Sequence, residues 1–149
     1  LFPYTTLFRS TEACGCGRKG CLEQYASATG LVRLAKRYFE KNTKNSILTG
    51  KEITAKEVFD AAKAGDAAAL EITEEFGAYL GQALVNLAAT VDPAVFVIGG
   101  GVSKAGDILL ETVRKYFYDH AFYGNQKTKI TLATLGNDAG IYGAAKQVL

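Results

Sequence analysis

A long helical repeat followed by a short apolar run and three glycines constrains the fold of this chain most. Apolar and small residues recur at the helical period over 66–91, and an Asp-Pro pair ends the pattern. The run AVFVI, residues 94–98, is rich in β-branched side chains and predicts a buried strand. A triple glycine follows, and then a helix that we expect Ser103 to cap. The predicted apolar stripe of the long helix consists of Leu70, Thr73, Phe76, Gly77, Leu80, Leu84, Leu87, Ala88 and Val91.

Other elements surround this unit in an α/β order. Apolar side chains at helical spacing over 31–39 predict a helix, and Thr54 with Glu57 forms a capping box for a short one. Asp66 is expected to cap the long helix. KITLATL, residues 129–135, predicts a second strand, and a last helix is expected over 141–148. So few strands make a poor sheet by themselves, so we expect further strands elsewhere in the protein.

Composition limits the classes of protein to consider. The chain has 149 residues, 48% hydrophobic and 21% charged, which suits one domain with its own core. A net charge of +2 gives no basis for a nucleic-acid or membrane surface, and the sequence has no signal-peptide pattern. We therefore expect a cytoplasmic protein. The sequence contains no methionine, which leads us to expect a part of a longer chain.

All three cysteines lie within the eight residues CGCGRKGC, at positions 14–21. An odd number of thiols argues against a disulfide framework, and a C-x-C pair is poorly placed to bridge itself. Thiolates on a glycine-bent loop suit a tetrahedral Zn²⁺ ion at ~2.3 Å from each sulfur. The predicted ligands are Cys14, Cys16 and Cys21, and positive φ angles are expected at Gly15, Gly17 and Gly20. The alternative is three small buried residues in a tight turn.

Three cysteines leave a zinc site one ligand short. The single histidine, His120, follows an aromatic helical stretch about a hundred residues away. We expect it to be a surface residue at a helix end, where the helix dipole favours a cation.

Three segments resemble one known family. CGCGRKGCLEQYAS is similar to the C-x-C-G-x-x-G-C-x-E signature of the ROK family (repressors, open reading frames, kinases). AVFVIGGGVSKAGDILL resembles its adenosine motif, and LGNDAGIYGAAKQVL resembles its usual C-terminal end. The three matches occur in the expected order and span residues 12–149. The run GCLEQYASATGLVRLAKRY looks most like the glucokinases of Gram-positive bacteria within that family.

This resemblance implies a fold, a reaction and a set of site residues. The fold would be the incomplete C-terminal lobe of an actin-like, ribonuclease H-like ATPase. The reaction would be phosphorylation of glucose to glucose 6-phosphate, with ATP and Mg²⁺, in a parent protein that is commonly a homodimer. The implied residues are Cys14, Cys16 and Cys21 for a structural Zn²⁺ shared with an upstream histidine, Glu23 for the sugar hydroxyls, and Gly99, Gly100 and Gly101 for the nucleotide.

The first residues depart from the family pattern. The sequence lacks a D-x-G-x-T phosphate loop, the N-D-x-N-like segment with the catalytic aspartate, and the upstream histidine. LFPYTTLFRS, residues 1–10, is expected to be a non-native leader. Residues 11–149 would then be the C-terminal lobe, with a zinc loop at 14–21 and a nucleotide-side segment at 94–149. We expect the chain alone to be inactive, and to bind Zn²⁺ either weakly or with water in the fourth position.

The residues leave several alternatives open. The triple glycine could serve helix–strand packing, Glu23 could be a solvated carboxylate, and Asn137 with Asp138 is expected to cap the last helix. A sugar-responsive ROK repressor with a helix-turn-helix, a kinase for N-acetylmannosamine or fructose, and a zinc-bearing interaction module are the alternative functions. The helix 66–91 and the aromatic stretch 116–123 are expected to be core, with a dimer interface as the alternative.

Overall fold

The computed structural model describes residues 12–135 and 139–147. Its helices are α1 (Ala28–Lys41), α2 (Ala55–Lys63), α3 (Ala67–Val91), α4 (Asp107–His120) and α5 (Ala139–Lys146). Its strands are β1 (Val95–Ile98) and β2 (Lys129–Leu132). Single 3₁₀ turns lie at Leu22–Gln24, Gly101–Ala105 and Tyr123–Asn125.

Helices α1, α2 and α3 begin where side chains satisfy the free backbone N–H groups of the first turn. The Ser27 hydroxyl accepts from the Gly30 N–H, 3.0 Å away, at the start of α1. Thr54 and Glu57 form the predicted reciprocal capping box of α2. The predicted cap of α3 is also confirmed, because the Asp66 carboxylate accepts from the Ala69 N–H at 2.9 Å.

Helix α3 lies at the centre of the core. It contacts α1, α2 and α4, so apolar side chains are buried around much of its circumference. The largest fully buried apolar side chains are Phe76, Phe117, Leu31, Ile72, Leu109, Ile130, Val58 and Val113. Within 12–135 and 139–147, no helix is both long and apolar enough to cross a membrane.

Helices α3 and α4 approach each other closely at two glycines. A Cβ atom placed on Gly77 would lie 2.7 Å from the Thr112 Cβ, and one on Gly81 would lie 2.9 Å from the Tyr116 ring. Contacts this short are not tolerated, so the absence of a side chain at these positions sets the distance between the helices.

The two strands pair in parallel, with Val95 opposite Lys129 and Ile98 opposite Leu132. Helix α4 is the crossover between them, as parallel pairing requires. The predicted burial of the first strand is correct for one face only. Ile98 is buried, but Val95 and Val97 are 44% and 60% exposed, because in the described part of the chain the helices cover a single face of this sheet.

Ser103 does not cap the helix that follows the glycines. It lies in the 3₁₀ turn, and its hydroxyl donates to the Gly100 carbonyl at 2.7 Å. Gly106, with φ 74° and ψ −139°, redirects the backbone, and α4 begins after it at Asp107 without a side-chain cap. The predicted cap was therefore placed three residues too early.

Two predicted burial patterns were partly wrong. The predicted apolar stripe of α3 includes three residues that are 40–64% exposed, Leu70, Leu87 and Val91. The side of α3 that neighbouring helices cover changes along the length of the helix. In the aromatic stretch Phe117 is buried, but Phe122 and Tyr123 are 74% and 86% exposed. They follow the end of α4 and no longer belong to its core-facing stripe.

Candidate functional site

The cysteine loop is a tight turn held by its own backbone. The Cys14 N–H donates to the Arg18 carbonyl at 2.8 Å, and the Gly17 N–H donates to the Cys14 carbonyl at 3.0 Å. An antiparallel bridge between Ala13 and Lys19 closes the base of the loop. The loop therefore has a defined shape that does not depend on its side chains.

Two of the three glycines in the loop have the predicted positive φ. Gly17 has φ 83° and Gly20 has φ 70°, in the left-handed region that favours glycine. Gly15 does not have a positive φ, so the prediction was wrong at that position. It lies with Cys16 in the centre of the turn that the Gly17 N–H closes, and neither central residue needs the left-handed conformation.

This backbone brings the three sulfurs together. The Sγ atoms of Cys14, Cys16 and Cys21 all lie within 4.8 Å of one another, and all three thiols are free. Cys16 is exposed and the other two are half-buried. A tetrahedral ion at ~2.3 Å from each sulfur requires sulfurs about 3.8 Å apart, so the donor set fits Zn²⁺.

The thiols perturb one another. Hydrogen bonds from the Arg18 backbone N–H and from the thiols of Cys21 and Cys14 lower the pKa of Cys16. Hydrogen bonding to Cys16 and Cys14 raises the pKa of Cys21 to about 11. At neutral pH the free loop therefore does not hold three thiolates, and a bound cation would have to displace protons.

His120 lies at a helix end, as predicted, and is not part of the sulfur cluster. It is the exposed last residue of α4, its Nδ1 is 2.8 Å from the Tyr116 carbonyl, and its ring stacks on Tyr116 with centroids 4.0 Å apart. Within the described residues, the cluster of candidate metal ligands consists of the three cysteines alone.

Glu23 lies directly against the cysteine cluster. It is an exposed residue of the one-turn helix after the loop, and its Oε2 is 3.6 Å from the Cys14 Sγ. The side-chain amide of Gln24 donates to the same oxygen at 3.4 Å. In the metal-free loop the Cys14 thiol and the Gln24 amide therefore fix the direction of the carboxylate, and it retains lone pairs for a ligand.

The sequence did not predict which residue of α1 contacts the two ends of this loop. Arg33 of α1 contacts both the Glu12 carboxylate and the Gln24 carbonyl. The helical periodicity places Arg33 on the polar face of α1, but no local pattern indicates which carboxylate or carbonyl it meets.

The glycines after β1 each have a different environment. Gly100 has φ 79° and ψ −168°, a conformation open essentially to glycine alone. A Cβ on Gly101 would meet no atom within 4 Å, and one on Gly99 would make an ordinary contact, 3.5 Å from Ala133. Helix–strand packing thus does not account for Gly101, which faces open space.

A cleft of about 180 Å³ lies between α2 and the 3₁₀ turn after the glycines. It follows the carboxyl end of β1, where α/β proteins with parallel strands bind their ligands. Its walls combine apolar side chains with three lysines and one aspartate, together with Gly101. The lining residues are Ala55, Lys56, Phe59, Asp60, Lys63, Gly101, Val102, Lys104 and Ala105. No pattern in the sequence indicated that α2 would face the glycine turn.

Asn137 and Asp138, the predicted cap of the last helix, lie outside the described residues.

Comparison with known proteins agrees with this architecture. The ROK family model matches residues 4–149. The chain is 43% identical over 135 residues to the glucokinase of Halalkalibacterium halodurans, covering 87% of this chain and 41% of that protein. It is 33% identical over 132 residues to the N-acetyl-D-glucosamine kinase of Vibrio cholerae, covering 89% and 40%. The chain thus spans less than half the length of these relatives.

A solved structure shows the same arrangement of elements. The ROK family glucokinase of Streptomyces griseus, crystallised with glucose and AMPPNP, superposes with a TM-score of 0.83 at 35% identity. The match covers 95% of this chain and 48% of that one. The predicted fold class is confirmed: this is an α/β chain that corresponds to part of an actin-like ATPase fold found in sugar kinases. The chain belongs to the ROK family.

Proposed function

We propose that the protein phosphorylates glucose with ATP and that this chain supplies its zinc loop, a sugar-binding carboxylate and part of its nucleotide site. The relatives named above are kinases of glucose and N-acetyl-D-glucosamine, which supports sugar phosphorylation as the reaction class. The observation that carries the proposal is the position of Glu23, whose carboxylate lies 3.6 Å from a sulfur of the cysteine cluster.

Glu23 is suited to bind a sugar because an ionised carboxylate accepts hydrogen bonds from two neighbouring hydroxyl groups. Recognition of this kind requires a carboxylate held to within a fraction of an ångström. In our proposal a Zn²⁺ ion on Cys14, Cys16 and Cys21 supplies a rigid support and takes no part in the chemistry. The sulfur distances of the loop support that assignment.

We assign Gly99, Gly100 and Gly101 to the nucleotide, together with the cleft between α2 and the turn that follows them. Phe59 and Val102 offer apolar walls to a purine, and Lys104 adds positive charge to the lining. The open space at Gly101 lets the backbone approach a ligand closely. Mg²⁺ bound together with ATP would supply positive charge that offsets the negative charge of the phosphate oxygens.

We also propose a division of the chain at residue 11, although the family match begins at residue 4. Residues 11–149 would form the C-terminal lobe, with the zinc loop at 14–21 and the nucleotide side at 94–149, and residues 1–10 would be a non-native leader. We further propose a cytoplasmic homodimer. The cluster of free thiols suits a reducing compartment, and size-exclusion chromatography with light scattering tests the dimer.

The experiment uses the complete open reading frame that encodes the chain, in a coupled assay of ADP formation. Glucose, N-acetylglucosamine, N-acetylmannosamine and fructose are compared, and glucose is expected to give the highest kcat/KM. Glu23→Gln should raise the KM for glucose about ten- to hundredfold, because it removes hydrogen bonds to a charged group. Glu40→Gln, an exposed change on α1, is the matched control and should leave the KM unchanged.

Each failure in this assay has a definite meaning. Wild-type protein that phosphorylates none of the sugars refutes the kinase proposal, and an unchanged KM in Glu23→Gln refutes the role of Glu23. The 149-residue chain assayed alone is expected to form no ADP, and sugar-dependent ADP formation by it would contradict that expectation. A preference for N-acetylglucosamine would favour the activity of the Vibrio relative.

The sequence of the complete open reading frame distinguishes a kinase from a repressor. A phosphate loop upstream of the cysteine loop supports the kinase, whereas a basic helix-turn-helix there supports the repressor.

A further inference from the structure

Arg33 connects the two ends of the cysteine loop. Its Nη1 donates to the Gln24 carbonyl at 2.7 Å, and its Nε lies 3.2 Å from the Glu12 Oε2. Glu12 precedes the first cysteine by two residues, and Gln24 follows the last by three. The side chain of Arg33 is only 32% exposed, so these contacts are partly shielded from water.

The Glu12 end of this connection is itself well anchored. The Glu12 carbonyl accepts from the Gly20 N–H at 2.9 Å, which joins the two arms of the loop. Arg37, one turn beyond Arg33 on α1, also pairs with the Glu12 carboxylate. Two guanidinium groups of one helix therefore hold the arm that leads into Cys14.

The contact of Arg33 with Gln24 affects the position of Glu23. Gln24 directly follows Glu23, and the hydrogen bond from Arg33 to its carbonyl fixes its backbone. Its side-chain amide in turn donates to the Glu23 carboxylate at 3.4 Å. Helix α1 is a firm base for this contact, because Leu31 and Leu34, on either side of Arg33, are buried in the core. A guanidinium can make both contacts at once because its donors diverge in one plane.

We propose that Arg33 is a positioning residue that holds the cysteine loop at both ends and thereby fixes Glu23 for the sugar. This inference rests on the proposed sugar-binding role of Glu23. Arg33 acts through Gln24 and Glu12 and does not itself touch the ligand. Its loss is expected to weaken sugar binding while the nucleotide side, at the other end of the chain, is unaffected.

The test compares Arg33→Gln, Arg33→Lys and the control Lys36→Gln in the complete open reading frame. Lys36 is an exposed residue of the same helix. Hydrogen exchange by mass spectrometry follows peptides over 12–24, and steady-state kinetics follow glucose and ATP. Arg33→Gln should exchange about tenfold faster in this segment and raise the glucose KM about tenfold, with kcat and the ATP KM within about twofold of wild type.

The conservative variant keeps the test informative if Arg33→Gln folds poorly. An ammonium group can keep one of the two contacts but not both, so Arg33→Lys should fall between wild type and Arg33→Gln in both measurements. Lys36→Gln should match wild type.

The two measurements separate this inference from the function on which it rests. Unchanged exchange over 12–24 in both Arg33 variants overturns it, and so does faster exchange with an unchanged glucose KM. Wild-type protein without any hexose kinase activity refutes the proposed function instead, and with it any role of Arg33 in sugar binding, while the exchange data still decide whether Arg33 holds the loop.

Discussion

The Sγ atoms of Cys16 and Cys21 lie 3.5 Å apart, although four residues of a glycine-rich turn separate them in the chain. The approach is produced by backbone hydrogen bonds across the loop and by two glycines with positive φ. Metal affinity should therefore depend on the conformation of the loop as well as on the cysteines themselves.

Gly17→Ala should weaken zinc binding, whereas Gly15→Ala should leave it unchanged. An alanine at Gly17 is forced into the left-handed region at a cost of about 1–2 kcal/mol, which corresponds to roughly a tenfold weaker Kd. Gly15 has no positive φ, and a Cβ there meets no atom within 4 Å. Competition with a colorimetric zinc chelator measures both affinities, and equal Kd values for the two variants would contradict the argument.

Zinc affinity should increase with pH between about 6.5 and 8.5. Hydrogen bonding raises the pKa of Cys21 to about 11, so its thiol is protonated over this whole range and must release a proton when the ion binds. At least one proton per ion means that the Kd decreases about tenfold or more for each unit of pH. The same chelator competition at three pH values checks this, and a Kd independent of pH would rule out thiolate ligation.

Gly101→Val should raise the KM for ATP without destabilising the protein. A Cβ at Gly101 meets nothing within 4 Å, so its branched side chain would occupy only the space assigned to the nucleotide. We expect an increase of about tenfold in the ATP KM, an unchanged glucose KM and an unchanged Tm. Gly124→Ala, whose Cβ would make an ordinary contact 3.5 Å from the Phe122 ring and which does not line the cleft, is the control and should leave all three unchanged. An ATP KM equal to wild type in Gly101→Val would place the nucleotide elsewhere.

Asp66→Ala should lower the free energy of unfolding by about 2 kcal/mol at neutral pH. The Asp66 carboxylate accepts from the Ala69 N–H, the Ile47 N–H and the Ser46 hydroxyl, so it caps α3 and holds the preceding loop. Chemical denaturation measures the difference. Asp119→Ala, an exposed change near the end of α4, should shift stability by less than about 0.5 kcal/mol.

The contribution of Asp66 should also depend on pH. Burial favours the neutral acid, but the backbone N–H groups of Ala69 and Ile47 and the Ser46 hydroxyl outweigh it and lower the pKa of Asp66. A lowered pKa in the folded state means that the stabilisation is present above about pH 4, the ordinary value for aspartate, and is lost as the pH falls through the lower folded value. The difference in the free energy of unfolding between wild type and Asp66→Ala should therefore become smaller below about pH 4. A difference that became larger in acid would contradict this assignment.

Gly77→Ala should destabilise the protein although alanine is the better helix former. The added methyl group would lie 2.7 Å from the Thr112 Cβ and 3.0 Å from its backbone carbon, so α3 and α4 must separate. Overpacking of this kind costs about 1–3 kcal/mol, against at most about 1 kcal/mol gained in helix propensity. Gly143→Ala, on exposed α5 with no atom within 4 Å, should instead stabilise slightly. Thermal unfolding compares the two, and a gain of stability in Gly77→Ala would show that the helices are not in close contact.

Features that depend on neighbours in the chain could be predicted from the sequence. The capping box of Thr54 and Glu57, the cap at Asp66 and the end of α3 before Pro93 are set by hydrogen bonds and φ angles within one turn. The convergence of the three thiols was also readable, because the glycines and the spacing define one short loop.

Burial of individual side chains was harder to predict. Val95 and Val97 look like core residues by composition, but a strand is buried only where another element covers it. Ser103 is a good cap by residue type, but Gly106 redirects the backbone before the helix begins. In each case a distant element or a single φ angle overrode the local preference.

The sequence by itself determined where α2 and α3 begin, where α3 ends and the loop in which three sulfurs meet, because these depend on interactions between residues close in the chain. Tertiary structure alone decided that Arg33 of α1 meets both ends of that loop and that α2 faces the glycine turn to form a cleft. Such contacts join residues far apart in sequence, and their energies are realised only when the packing of α1, α2 and α3 has fixed the distances between them.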